Sequence, residues 1–447
     1  MDNNVRKNDL ESRKEHGRLA QQPEMKKALK KPIQAVSSTT WDQFDYKQVQ
    51  GKLDQQIREQ LAGQCLSQVP QTTARIAHEA VDSMLKSEPA SKIAQKLDEL
   101  YQRFQVIFEN LDVSIDLRTR QYISATGLVM SPEHCLTTIK DTYRVAAFTR
   151  GIEQAISERL SLMSTPSPIH LVYPACGPLA PLVLPLLSYF RQQSSVTSEQ
   201  LKVTLIDIQP GAVKMLNAAV EELEVEDFIK EIRLLDALDY QPEGDIDILV
   251  LEAMQHGFTR EAHLPIAKHF ADIMSQDSVM IPESISIRAL LAIPQLEFCE
   301  QWDRDLSADE QLERQIHVRT KRTDVGEVAN INLDFLKRMQ WRELDNNTKV
   351  AACNRLNIPE LAENATKQTL LVMAELTTFS DEHLTQYQSG ITHPLPDLHA
   401  CINFVPAEEQ EGDVLLSSGD SVRFYYRVNG MPGFLVVPQE EAHDAND

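Results

Sequence analysis

Apolar positions recur every three or four residues along KLDQQIREQLAGQCL (52–66), TARIAHEAVDSMLK (73–86) and KIAQKLDELYQRFQVIFENL (92–111). That is the spacing of one buried helix face. SQVPQTT (67–73) and SEPAS (87–91) interrupt it with proline and small polar residues. A helical extension is predicted over 46–120, as a small module or partner-binding piece whose leucines pack a core.

The period changes after about residue 165. IHLVYPACGPL, LKVTLIDIQP, FIKEIRLLDALDY and DIDILVLE each hold an apolar run of strand length, and APLVLPLLSYFRQQ and GAVKMLNAAVEELEV between them are helical. Alternating strands and helices predict a parallel, doubly wound, Rossmann-like α/β domain over 121–282. Beyond Pro282, ISIRALLAI, TLLVMAELTTF, HACINFV, SVRFYYRV and GFLVVP predict an antiparallel β-barrel or sandwich domain over 283–447, with Asn429-Gly430 as a hairpin turn. Residues 300–365 are more polar and read as a helical insertion or pairing arm.

Composition narrows the class. With 447 residues, 42% of them apolar, the chain has room for two or three domains. Its formal net charge of −22 argues against broad nucleic-acid binding. Residues 1–31 are nonetheless rich in Lys and Arg without an apolar face, so 1–45 reads as a disordered basic tail. The six cysteines are scattered without a CxxC or any other metal-ligand spacing, so no metal site and a reducing, cytoplasmic setting are expected. No apolar run is long enough to predict a membrane span.

The chemistry gathers at strand ends, where open parallel sheets bind their ligands. The turn PACGPL (174–179) brings backbone close to a ligand at Ala175 and Gly177. Asp207, ending VTLID, is placed to hold two ribose hydroxyls, and Asp236, after RLL, to accept from an adenine amino group. This layout serves S-adenosyl-L-methionine (SAM) sites and dinucleotide sites alike. A further strand, DILVL, ends on Glu252, and Glu261 comes nine residues later in LEAMQHGFTRE. Two carboxylates can hold the planar, permanently charged fork of a guanidinium from more than one side. The bland reading of Glu261 is attraction to the N-terminus of the helix EAHLPIAKHFADIM.

From about Tyr122 to Pro438 the chain resembles the protein arginine methyltransferase family, as a divergent member. KDTYRVAAFTRGI (140–152) is similar to the helix that covers SAM there, and Glu252, Met254 and Glu261 match the family's double-acid loop. VMIPES (279–284) looks like the crossing into its β-barrel. The resemblance implies SAM as cofactor, held by Arg144 on its methionine carboxylate together with Ala175, Gly177, Asp207, Asp236 and Met254. It implies Glu252, Glu261 and His399 as catalytic residues, with His399 bonded to Asp141 and His393 as the alternative histidine, and it implies a homodimer. The chain departs from the family in three places. The glycine-rich first motif survives only as Gly177, the tryptophan after the first acid is Ala253, and the Thr-His-Trp loop is Leu398-His399-Ala400. These changes fall on peptide recognition, so the expected substrate leans from protein-linked arginine towards free arginine or another small guanidine. The competing reading is a catalytically inactive methyltransferase fold acting as an interaction protein; a nicotinamide-dependent redox enzyme accounts for neither the acid spacing nor the 134–156 segment.

Overall fold

The computed structural model describes residues 72–162, 167–302, 308–345, 347–360, 368–393, 401–403, 414 and 416–439. The expected basic tail, the first predicted helix (52–66) and His399 lie outside the described residues.

Helices α1 (Thr73–Leu85) and α2 (Ala90–Glu109) form where the sequence pattern places them. Thr72 caps the first through its side chain, and α2 presents Ile93, Leu97, Leu100, Phe104 and Phe108 as one buried stripe. Their apolar faces enter the same core as the α/β sheet, not a core of their own. The boundary expected at 120 therefore does not divide the structure: residues 71–447 form one compact unit. An amphipathic face identifies a buried side without saying which partner buries it.

Helix α3 (Thr142–Leu162) leads into five parallel strands: β1 (Ile169–Pro174), β2 (Leu201–Asp207), β3 (Ile229–Leu234), β4 (Ile248–Val250) and β5 (Val279–Ile281). Their order is β3-β2-β1-β4-β5, so the chain reverses direction across the sheet between β1 and β4. Every residue of β1 is buried, and β2 is buried except at Lys202, as a sheet covered on both faces requires. The crossovers run through α4 (Leu184–Gln193), α5 (Pro210–Glu222) and α6 (His263–Ile273). The crevice at this reversal, outside the carboxyl ends of the strands, is where such sheets take ligands.

The remainder is antiparallel. Strand β6 (Ser284–Ala292) pairs with β7 (Thr323–Asn332); β8 (Trp341–Asp345) pairs with β9 (Thr348–Asn357); β10 (Thr369–Phe379) pairs with β6, β11 (Glu382–Leu384) and β12 (Cys401–Asn403). Strands β13 (Ser421–Arg427) and β14 (Gly433–Gln439) form the hairpin about Asn429-Gly430 and extend β9 into a second sheet. The helical insertion expected over 300–365 is corrected here. Among the described residues of that segment the longest helix is Ala308–Arg319, a second covers only Leu333–Arg338, and β7, β8 and β9 take up 323–332, 341–345 and 348–357. Polar composition is a poor guide to helix here, because exposed strands also carry charge on their solvent side.

One buried ion pair in this domain has no signal in the sequence. Arg322 meets Glu297 at 2.6 Å with side chains 5% and 1% exposed, and Tyr387 also donates to Glu297. Among the described residues, no helix is long and apolar enough to cross a membrane, and no group of three potential metal ligands comes together.

Candidate active site

Three chain segments converge on the carboxyl edge of the parallel sheet. The first is the PACGPLA turn after β1, where Ala175, Gly177 and Ala180 take φ of 51°, 69° and 40°. Two alanines thus adopt the left-handed backbone that a glycine-rich motif adopts freely. Asp207, 8% exposed at the end of β2, accepts from the backbone amide of Gly177 at 2.9 Å and from that of Gln209 at 2.8 Å. Burial pushes its pKa up to about 6 against the pull of those two amides. Each carboxylate oxygen keeps a lone-pair direction for a further donor. Asp236 caps the short turn Ala237–Asp239 by accepting from the Leu238 amide at 3.0 Å. Ala175, Gly177, Asp207 and Asp236 line one small cavity together with Ala237.

The second segment is a flap, residues 115–135, which spans the domain boundary expected at 120. Its two-residue hairpin pairs Tyr122 with Val129 and Ile123 with Leu128. The side chain of Gln209 donates to the carbonyls of Arg120 and Met130 at 2.7 and 2.8 Å, fastening the flap to the end of β2. A Cβ on Gly127 would stand 2.9 Å from the Glu261 carbonyl carbon and the Ala262 amide nitrogen, so only glycine fits there. The TG turn between the apolar pairs YI and LV was the available sequence signal.

The third segment is the double-acid loop. Leu251 donates to the Ile281 carbonyl, carrying β4 one residue further, and Glu252 is next. The loop closes as a tight hairpin with a bridge between Gln255 and Thr259, and Phe258 is fully buried against Tyr426 and His263. His263, wholly buried, has its pKa pushed down to about 3 by burial, so its ring is neutral and Nδ1 accepts from the Ala253 amide at 3.5 Å. Sequence reasoning missed His263 as an anchor for the chain just after Glu252.

Glu252 and Glu261 line one cavity of about 470 Å³, with Arg144, Met254 and Gly177 also on its walls. Both cavities share Leu128, Met130, Cys135, Ala175, Gly177 and Glu261, so the recess beside Asp207 adjoins the acid-lined one. From the first turn of α3, Arg144 donates to Glu252 Oε2 at 3.1 Å and to Asp141 Oδ2 at 2.9 Å. Burial works against its charge, but Glu252 and Asp141 outweigh it and raise its pKa. Burial likewise raises the pKa of Glu252, more than Arg144 lowers it. Glu261 is pushed up to about 7, first by burial and then by the neighbouring charge of Glu252, while a 3.1 Å bond from Gln255 opposes the shift. The Oε1 atom of Glu252 is buried and has no hydrogen-bond partner. A second cation brought to this oxygen would supply the missing donor.

Asp141 also accepts from Ser389 Oγ at 2.6 Å and the Gly390 amide at 3.1 Å. Its carboxylate is thus engaged by Arg144, Ser389 and Gly390, while His399, the partner implied by the resemblance, lies outside the described residues. His393 stacks on Trp302 at 5.1 Å between ring centroids and meets Tyr387 edge-on, so its ring belongs to an aromatic cluster. Cys135 and Cys176 beside the recess are held protonated by burial and by Asp207.

No protein-family model and no curated protein sequence matches this chain. Among solved structures it is similar to the Trypanosoma brucei PRMT1 enzyme–prozyme heterotetrameric complex with AdoHcy, at 14% identity over 70% of this chain and 95% of that one, with a TM-score of 0.40. It is also similar to PRMT6 and to PRMT6 with SAH, each at 10% identity and a TM-score of 0.38, over 68% and 69% of this chain and 98% and 99% of those.

Proposed function

We propose that this protein transfers a methyl group from SAM to a guanidine nitrogen. The observation that carries the reading is the unpartnered, buried Oε1 of Glu252, on a residue that lines a cavity with a second acid, next to the recess lined by Asp207 and Asp236. The residues present fit SAM: Asp207 keeps acceptor capacity for ribose hydroxyls, Asp236 faces the same recess, and the Ala175–Gly177 backbone takes the turn a close ligand needs. Arg144 has N–H groups beyond those given to Asp141 and Glu252, and they would take the amino-acid carboxylate. SAM would supply the electrophilic methyl group.

The chain's own work is electrostatic. Glu252 Oε1 accepts from the guanidinium fork, and Glu261 accepts from another side. Together they draw positive charge away from the nitrogen to be methylated and hold it in line. A base whose pKa lies near the working pH is matched to take up a proton late in the reaction, and Glu261 meets that condition. The substrate is a guanidine, free or protein-linked, with the small molecule favoured because Ala253 and Leu398-His399-Ala400 replace the peptide-side residues of the family resembled.

The inactive-scaffold alternative rests on the lost glycines, and the positive φ at Ala175 and Ala180 weakens it. Calorimetric titration with SAM, and then product analysis after incubation with guanidines, tests the proposal; no SAM binding at millimolar concentration would replace it with the scaffold reading. We also propose a homodimer, joined through helix Ala308–Arg319, where Leu312 and Ile316 are 57% and 53% exposed. A monomeric mass by light scattering at micromolar concentration would refute it.

A further inference from the structure

The side-chain amide of Gln255 touches three groups, and together they leave it one orientation. Its Oε1 accepts from Arg260 Nη1 at 3.3 Å, while its Nε2 donates to Glu261 Oε1 at 3.1 Å and to Met130 Sδ at 3.2 Å. A guanidinium has no acceptor, so turning the amide over would set donor against donor. The same turn would face the amide oxygen with a thioether sulfur, which has no hydrogen to give, and would suit Glu261 only in its protonated form. The partners are themselves held. The Arg260 amide donates to the Pro432 carbonyl at 2.8 Å, and its carbonyl accepts from the Leu128 amide at 2.7 Å. The Met130 carbonyl accepts from Gln209 Nε2 at 2.8 Å, and the backbone amide of Gln255 donates to the Thr259 carbonyl at 3.2 Å across the hairpin.

This orientation decides which oxygen of Glu261 can gain a proton. A donor aimed at Oε1 is satisfied by a carboxylate oxygen or by the carbonyl oxygen of a carboxylic acid, and poorly by the hydroxyl oxygen of that acid. The proton therefore settles on Oε2, and Oε1 stays the acceptor in both forms. The bond is stronger to the ionised form, so the amide also restrains a pKa that burial and Glu252 push up to about 7. Other groups bear on the same carboxyl from the elements around it. Glu252 acts from the end of β4 and Arg144 from α3. Cys135 on the flap and Tyr426 on β13 are kept protonated, first by burial, and His263 on α6 is neutral. Arg260, His256 and His134 line the cavity. These groups set the field, and the amide sets the direction.

We infer that, on the methyl-transfer reading above, Gln255 is a positioning residue that fixes Glu261 so that Oε2 alone takes up the proton released in the reaction. The nitrogen–methyl bond forms as the methyl–sulfur bond breaks, with the electron pair of the broken bond left on sulfur. The surplus proton of the methylated guanidinium then passes from its nitrogen to Glu261 Oε2. Gln255 acts only through the acid.

The test is an infrared difference titration of the intact, ligand-free chain through neutral pH, in which the Glu261 band is the carboxyl signal lost in Glu261→Gln. A carboxyl C=O that accepts a hydrogen bond absorbs at lower frequency than a free one. The wild-type band should lie at the lower position and vanish with a midpoint near pH 7. Gln255→Met, similar in size but without a donor, should move the band to the free position. It should also raise the midpoint by about one pH unit or more, as loss of a hydrogen bond to a charged group requires. The acidic limb of kcat/KM, measured with SAM on L-arginine and on an arginyl peptide, should move up alongside it. A free-carboxyl frequency in wild type would overturn the inference with no variant needed. So would an unmoved band and midpoint in a Gln255→Met protein that keeps the wild-type melting temperature. The infrared shift without methylation of either substrate would instead overturn the methyl-transfer reading, and with it the use made of the proton.

Discussion

Glu252→Gln removes a charge while keeping shape, and its effect can be worked out from the partners of this side chain. Oε2 is bound to Arg144 at 3.1 Å, and Oε1 is buried without a hydrogen-bond partner. Two unit charges about 4 Å apart interact by about 4 kcal/mol at an effective dielectric of about 20. That figure agrees with the roughly 2.7–4 kcal/mol lost when one preorganised electrostatic partner is deleted. Turnover should therefore fall about 100- to 1000-fold. Cofactor affinity should hold or rise, because Glu252 competes with an incoming carboxylate for Arg144. Melting temperature should hold or rise as well, since burial already disfavours this charge and Glu261 repels it. Single-turnover methylation, with SAM affinity by calorimetry and a melting curve in parallel, measures all three. Near-wild-type turnover in a folded Glu252→Gln protein would refute the guanidinium clamp and return both acids to a structural role.

Asp207→Ala should weaken SAM binding about 10- to 150-fold, as loss of hydrogen bonds to a charged group costs roughly 1.5–3 kcal/mol; unchanged affinity in the folded variant would exclude the ribose assignment. The Glu261 carboxyl, raised from 4.5 to about 7, binds its proton more tightly folded than unfolded, so its penalty on stability grows as pH rises through that window. A bound guanidinium favours the ionised form, so substrate binding near pH 7 should release protons, seen by calorimetry in buffers of different ionisation enthalpy, and KM should climb as pH falls below about 7. Glu261→Gln should abolish the release. Gly127→Ala should push the backbone at Glu261 and cut turnover at least tenfold, with a smaller change in melting temperature; wild-type kinetics would show that the 2.9 Å approach is readily relaxed.

The parallel strands were legible because a sheet covered on both faces needs nearly continuous apolar runs, as in VTLI before Asp207. The acids at their ends were legible because a carboxylate closing such a run has no packing role. Two assignments failed for opposite reasons. Periodicity marks a buried face but not its partner, so the extension over 46–120 looks separate in sequence, whereas α1 and α2 bury their faces in the common core. The segment 300–365 looks helical from its polarity alone. Gln209, His263 and Arg260 escaped notice because their roles depend on contacts across tens or hundreds of residues, such as Gln209 with Arg120 and Arg260 with Pro432.

The Arg260 backbone ties together three parts of the compact unit. Its carbonyl holds the flap at Leu128, its amide holds the β-domain at Pro432, and Gly430 of that same hairpin returns to the flap by donating to the Ala125 carbonyl. No one of these bonds can open far without loading the other two. Lifting the flap must therefore disturb the backbone beside Glu261. A half-open site, with the acids aligned but the recess exposed to water, is mechanically disfavoured. On the methyl-transfer reading proposed above, access and alignment would behave as a single latch, with the methyl donor presented only when the acids are in place.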